Sequence, residues 1–249
     1  VSPPDFAVIG GGIAGAAAAA FLARAGASVE LYERDRVAAA ASGRNSGAIQ
    51  HPYDDELAAL HRETIDLYAA LEGFELPPIP AGVLLLASDR DALAGTAAAL
   101  ARSCPELRPE MVDASDAEAA LAPDLAACRI VTGYPVRPAA ATTAFAALAR
   151  RHGAAIHEGV EAAPWLEGGR ARGVLAGGER RAAGAVLVAA GPWTPVLVAS
   201  ADPGGVLVPI APVWGVNVEV ALAEPPRHVL EEAGVEGVSG AEAPAKLFS

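Results

Sequence analysis

Three glycines near the amino terminus, Gly10, Gly12 and Gly15, stand in G-x-G-x-x-G spacing, and a carboxylate, Glu33, follows Gly15 by 18 residues. Each position has a physical task in holding a dinucleotide. Gly10 permits a tight turn out of a strand, Gly12 lets bare backbone approach a diphosphate, and Gly15 lets a helix lie close to a sheet. Ile13 and Ala14 fall in the first turn of that helix, whose unpaired N–H groups and partial positive charge suit phosphate oxygens. Glu33 is placed to accept hydrogen bonds from ribose hydroxyls, which favours a free 2′-hydroxyl and therefore FAD or NAD over NADP.

A second polar stretch, ASGRNSGAI at residues 41–49, follows directly. Its composition predicts a loop crossing the strand ends, where open α/β sheets bind ligands. Ser42, Asn45 and Ser46 offer hydrogen-bonding groups, and Gly43 and Gly47 allow close approach. Arg44 is a candidate for offsetting phosphate charge or clamping a carboxylate. His51, just beyond, is a candidate base or covalent attachment point for a bound cofactor, against the commoner role of a packed histidine.

These residues need a strand–helix–strand unit to position them. Asp5–Ile9 reads as a buried strand, Ile13–Arg24 as an Ala-rich helix closed by Gly26, and Ser28–Tyr32 as a second strand. Leu57, Leu60, Thr64, Leu67 and Leu71 recur at helical spacing, predicting a helix over Asp55–Leu71 that prolines 77, 78 and 80 end. A strand at Gly82–Ala87 and helices over Asp89–Arg102, Ser115–Leu121 and Thr142–His152 follow. From Ala154 the pattern changes to short strands, AAIHE, VEAAPWL, RARGVLA and AVLVAAG, with Gly168-Gly169 and Gly177-Gly178 as turns. Residues 206–224 alternate like an antiparallel strand pair interrupted by Pro209 and Pro212. Trp165 and Trp214 are expected to pack in these sheets.

Composition narrows the function. Of 249 residues, 61 are alanine and 12 aromatic, so a core must be assembled from small side chains and a limited set of Leu, Val and Ile. A net charge of −12 with no basic stripe argues against nucleic acid. Cys104 and Cys128 form neither a disulfide framework nor a zinc pattern, the five histidines are scattered, and no metal is expected. The free thiols suit a reducing cytoplasm. The uncharged run from Ala7 to Ala23 is short for a membrane span, lacks a preceding basic residue and is mostly Gly and Ala, so no transmembrane segment is expected.

Taken in order, the Gly10–Gly15 turn, Glu33-Arg34, SGRNSG at 42–47, PVRPAAATTAFAALARRHGA ending at Ala154, and VLVAAGPWTP at 186–195 resemble FAD-dependent oxidoreductases of the D-amino-acid oxidase type, which include glycine oxidase and sarcosine oxidase. The resemblance implies an α/β fold. A Rossmann-like FAD-binding domain would comprise 1–75 and 136–199. A second α+β domain on an antiparallel sheet would comprise 76–135 and 200–249 and contact substrate. It further implies that Glu33 and Arg34 are among the cofactor-binding residues, that the Val160 backbone touches adenine, and that the Ala190–Gly191 turn lies against the cofactor with Trp193 nearby. The loop from Ala41 through Ser42, Asn45, Ser46, Gly47 and Ala48 would run under the flavin, with Gln50 and His51 at its exit. Family members are longer, and no equivalent of their returning carboxy-terminal segment precedes Ser249, so the second domain is expected to be incomplete.

The implied reaction oxidises the C–N bond of an amino acid or secondary amine by hydride transfer to flavin. Two readings stand beside it: an FAD enzyme acting on a 2-hydroxy acid or polyol phosphate, and a truncated or degenerate relative that binds nucleotide without turnover. An NAD-dependent dehydrogenase would require a second βαβ series, which the later half lacks. No catalytic residue is assigned beyond the candidates His51 and Arg44.

Overall fold

The fold is described from a computed structural model, for residues 2–205 and 208–233. The expected opening unit forms as strand β1 (Phe6–Ile9), helix α1 (Ile13–Arg24) and strand β2 (Val29–Glu33). Helix α1 buries Ala16, Ala19, Ala20 and Ala23, side chains small enough to let it lie close to the sheet. Gly26, at φ +93°, ends it in the left-handed conformation. A 3-10 turn (Ala41–Gly43), β3 (Ala48–Ile49) and α2 (Asp55–Ala69) follow. Then come β4 (Val83–Ala87) and α3 (Arg90–Ser103), whose first turn is capped by the Asp89 carboxylate accepting from the Asp91 and Ala92 N–H groups. The chain continues through a 3-10 turn (Pro105–Leu107), β5 (Glu110–Asp113), α4 (Ala114–Ala117), β6 (Ala126–Ile130), β7 (Tyr134–Pro135) and α5 (Ala140–Arg151). Four short strands come next, β8 (Ala155–Glu158), β9 (Ala162–Glu167), β10 (Arg170–Ala176) and β11 (Glu179–Ala182). The described elements end with β12 (Ala185–Val188), a 3-10 turn (Gly191–Trp193), α6 (Thr194–Ala201) and β13 (Val229–Glu232).

Two compact units emerge, counting only described residues within their bounds. The first takes Val1–Asn45, Leu71–Phe74 and Arg137–Trp214; the second takes Ser46–Ala70, Glu75–Val136 and Gly215–Ser249. In the first, a parallel sheet runs in the order β12-β1-β2-β8, with Phe6 opposite both Ala185 and Val29. Helices α1 and α5 pack together, Phe21 meeting Phe145 with ring centroids 5.8 Å apart. An antiparallel sheet β11-β10-β9 shares a core with the parallel one through Ala7, Ile9, Tyr32, Ala162, Val174 and Ala176.

In the second unit, β13-β4-β6-β5 form a sheet that is antiparallel except for the β13–β4 pair, and β3 pairs with β7. Leu93 and Ala97 of α3 join Val83, Leu85, Cys104, Leu107, Cys128 and Ile130 in its core. Both cysteines are buried there, and burial pushes the Cys128 thiol up.

Three expectations are corrected. The helix expected at Ser115–Leu121 is a single turn over Ala114–Ala117, because Glu118 turns to extended backbone and engages Arg227 and His228 instead. The alternation expected to give paired strands over 206–224 gives none in the described part, 208–224, and residues 206–207 lie outside the described residues. Trp214 does not pack in a sheet but is 93% exposed, and Val216, Val218 and Val220 are exposed with it. Alternating sequence makes a strand only where another strand supplies the backbone partners.

Candidate dinucleotide site

The site is built at the exit of β1. Gly10 donates its N–H to the Tyr32 carbonyl at 2.8 Å, and Ala189 donates to the Ile9 carbonyl at 2.8 Å, so β2 and β12 clasp the turn from both sides. At φ +109°, Gly10 holds a conformation that disfavours a side chain, and a Cβ there would fall 2.4 Å from the Ala189 carbonyl oxygen. A Cβ on Gly15 would fall 1.9 Å from the Gly10 carbonyl oxygen, so α1 begins against the turn itself. Gly12 differs: a Cβ there would meet only the Ser42 hydroxyl, at 3.2 Å. That bare face is what a diphosphate needs.

The amides around the turn are more committed than their sequence suggests. Gly11 donates to Glu33 Oε2 at 2.7 Å, and Asp35 donates to Glu33 Oε1 at 2.9 Å. Each carboxylate oxygen thereby accepts one backbone hydrogen bond and keeps capacity to accept another. Ile13 donates to Ser42 Oγ at 2.9 Å, so a residue from the 41–43 turn caps α1 in place of Gly12, which has no side chain to do so. Ser42 keeps its own hydroxyl proton to donate. The N–H groups of Ala14 and Gly15 lie in the first turn, where no preceding helical carbonyl reaches them. Gly43 presses on the Ala38 carbonyl, 2.1 Å from where its Cβ would lie, and Ala38 itself takes φ +62°.

The other expected residues divide between the units. Val160 sits beside the end of β2, but its N–H is committed to the Glu33 carbonyl at 2.9 Å, leaving only its carbonyl to meet an adenine. The Ala190–Gly191 turn adjoins Gly10, whose Cβ position is 3.1 Å from the Ala190 Cα. Trp193 stacks on Arg34, the guanidinium carbon lying 4.2 Å from the ring centroid. Arg44 and Asn45 are exposed beyond the 3-10 turn, and the Asn45 amide donates to the carbonyls of Ala41 and Ser42.

Ser46, Gly47 and Ala48 belong to the second unit, where the Gly47 carbonyl accepts from Val136 and Ala48 pairs with Pro135. His51 is there too, 4% exposed. Its N–H donates to Thr132 Oγ1 at 2.7 Å, its Nδ1 accepts from the Tyr53 N–H at 3.1 Å, and its Nε2 lies 3.4 Å from Glu106 Oε1. The His61 ring meets it edge-on at 5.3 Å, and burial together with the neighbouring His51 and Arg62 lowers the His61 pKa. These contacts hold the His51 ring inside the second unit. Among the described residues, no group of three His, Cys, Asp or Glu is arranged to hold a metal, and no helix is long and apolar enough to cross a membrane.

Residues 5–239 match the sequence model of the FAD dependent oxidoreductase family, DAO. The chain belongs to that family. Comparison with curated protein sequences finds no match. Among solved structures, this DAO-family chain is similar to iminodiacetate oxidase from Chelativorans sp. BNC1, at 28% identity and TM-score 0.68 over 78% of this chain and 57% of that one. It is also similar to glycine oxidase from Bacillus cereus, at 24% identity and TM-score 0.66 over 79% of this chain and 59% of that one. L-proline dehydrogenase from P. horikoshii gives 24% and 0.69 over 80% and 56%. The chain thus spans well under two thirds of the length of these relatives.

The family cofactor is FAD, and this site fits it. Gly12 leaves room that a diphosphate would need, Glu33 is held by two backbone donors, and Ser42 retains a hydroxyl donor. The three signals that the sequence could not supply are the commitment of the Gly11 amide, the borrowed cap from Ser42 and the Arg34–Trp193 stack, since each is a side-chain contact that exists only once the turn has folded.

Proposed function

We propose that this DAO-family protein oxidises the C–N bond of an amino acid or secondary amine. FAD, when bound, would supply a hydride acceptor for the carbon beside nitrogen, and water would hydrolyse the imine product. The chain's own residues bind and orient. Glu33 would hold the adenosine ribose. Ser42, with the Ala14 and Gly15 N–H groups, would hold the diphosphate, the Val160 carbonyl would meet adenine, and the Ala190–Gly191 turn would border the cofactor. The remaining loop residues Ala41, Asn45, Ser46, Gly47 and Ala48 are proposed to continue that border toward the flavin.

The observation carrying this reading is the Glu33 carboxylate, clamped between the Gly11 and Asp35 amides beside an uncovered Gly12. The amine class is favoured by the 28% identity to an iminodiacetate oxidase. Purified protein saturated with FAD and mixed anaerobically with iminodiacetate, glycine, proline or a 2-hydroxy acid tests both parts. Loss of the flavin absorbance is expected with an amine and not with the hydroxy acid. Bleaching by the hydroxy acid alone, or by none of them, would overturn the amine assignment.

A further inference from the structure

Arg34 and Trp193 come from opposite sides of the dinucleotide turn. Arg34 directly follows β2, and Trp193 closes the 3-10 turn after β12. In the sheet order β12-β1-β2-β8 those strands flank β1, so their contact has to cross the exit of β1, where Gly10–Gly12 turn. Neighbouring strands lie about 4.8 Å apart, and the two side chains therefore reach across about two such spacings to meet. On the FAD reading, a dinucleotide running from Glu33 to the start of α1 would take the same course. Neither side chain is locked by burial: the Arg34 side chain is 45% exposed and Trp193 is 39% exposed. Arg34 is steadied by the Trp193 ring on one side and by Asp35 Oδ2, 3.7 Å from its Nε, on the other.

We propose that the Arg34–Trp193 stack is a strap across the dinucleotide path. It parts to pass the cofactor and closes again with a cation beside the diphosphate, so it slows binding and release together. An exposed cation–π contact is of a strength that sorts side-chain positions without fixing them, which is what a strap requires. The inference rests on the FAD reading above.

The test is stopped-flow mixing of the flavin-stripped protein with FAD, together with displacement of bound FAD, for the unsubstituted chain, Arg34→Ala, Trp193→Ala and the double variant. Each single substitution should raise both rate constants about two- to fivefold, with a smaller change in Kd. The double variant should be no faster than the singles, because either loss opens the same strap. Trp193→Phe, which keeps a weaker ring, should fall between. Unchanged rates, or single effects that add in the double variant, overturn the strap. If an alanine variant does not fold by its thermal melt, Arg34→Leu and Trp193→Phe carry the same comparison. An unsubstituted protein that binds no FAD overturns the FAD reading and the strap with it, whereas normal binding with unmoved variants removes the strap alone.

Discussion

Glu33 serves the backbone and the expected ligand with one carboxylate. Its two oxygens accept from Gly11 and Asp35, which keeps the turn after β1 in register with the end of β2. Glu33→Ala removes the ribose acceptor and leaves the part-buried Gly11 N–H without its partner. A charge-assisted hydrogen bond contributes about 1.5–3 kcal/mol, so FAD affinity should fall about 10- to 100-fold in a flavin-fluorescence titration. Glu33→Gln should lose less, because one amide oxygen still accepts; an alanine variant with unaltered Kd would contradict the sugar placement. Tyr32, one position earlier, shows how firmly this strand is set. Burial and the hydroxyl's hydrogen bond to the Glu30 carboxylate push its phenol up to about 12, and its ring stacks on His157 at 4.9 Å.

At the scale of elements, β13 joins the second unit through its ladder with β4, and a buried acid secures its entry. Glu118 Oε1 accepts from the Arg227 N–H at 2.7 Å, the His228 N–H at 2.9 Å and His228 Nδ1 at 2.7 Å, just where the chain enters β13. Burial alone would raise this carboxyl, but the donors on His228 and Arg227 outweigh it and lower the pKa below its usual 4.5. Because the folded value lies below the unfolded one, the resulting stability is present above pH 4.5 and is lost as pH falls through the folded value. Glu118→Gln should therefore destabilise the protein by about 1.5–3 kcal/mol at neutral pH in urea unfolding, with the gap from the unsubstituted protein closing as the pH is lowered past that window. A gap independent of pH would mean that packing, not charge, holds β13. Nothing in the sequence marks this arrangement, since Glu118 sits where periodicity predicts helix. Legibility followed range: the β1–α1–β2 unit was readable because its glycines, apolar run and terminal acid lie within 30 residues. Strands β5 and β6, EMVD and AACRI, are not legible because neither alternates; β5 is a strand through its pairing with β6, and β6 through its pairing with β5 and β4. The reverse error at 208–224 has the same origin, a strand-like pattern with no ladder to join.

At the scale of the whole molecule, each unit has its own core, and the dinucleotide residues Gly10–Gly15, Glu33 and Ser42 all lie in the first. A ligand that binds only the folded form stabilises it by about 2.7 kcal/mol at a hundred times its Kd. In hydrogen exchange, saturating FAD should protect the amides of β1, β2 and β8 while leaving those of β4 and β6 close to their ligand-free rates. Equal protection in both units would show that they open as one. The same topology constrains when the site can exist. Strand β1 lies between β2 and β12, pairing Phe6 with Ala185, and the Gly10 turn is pressed from one side by Ala189. Such distant pairing is slow to form, because a long loop must close before any contact offsets its entropy. The glycine turn and Glu33 precede β12 by about 150 residues in the chain, so synthesis from the amino end makes the turn long before the strand that presses on it. Closure of the turn is thus expected to wait for β12.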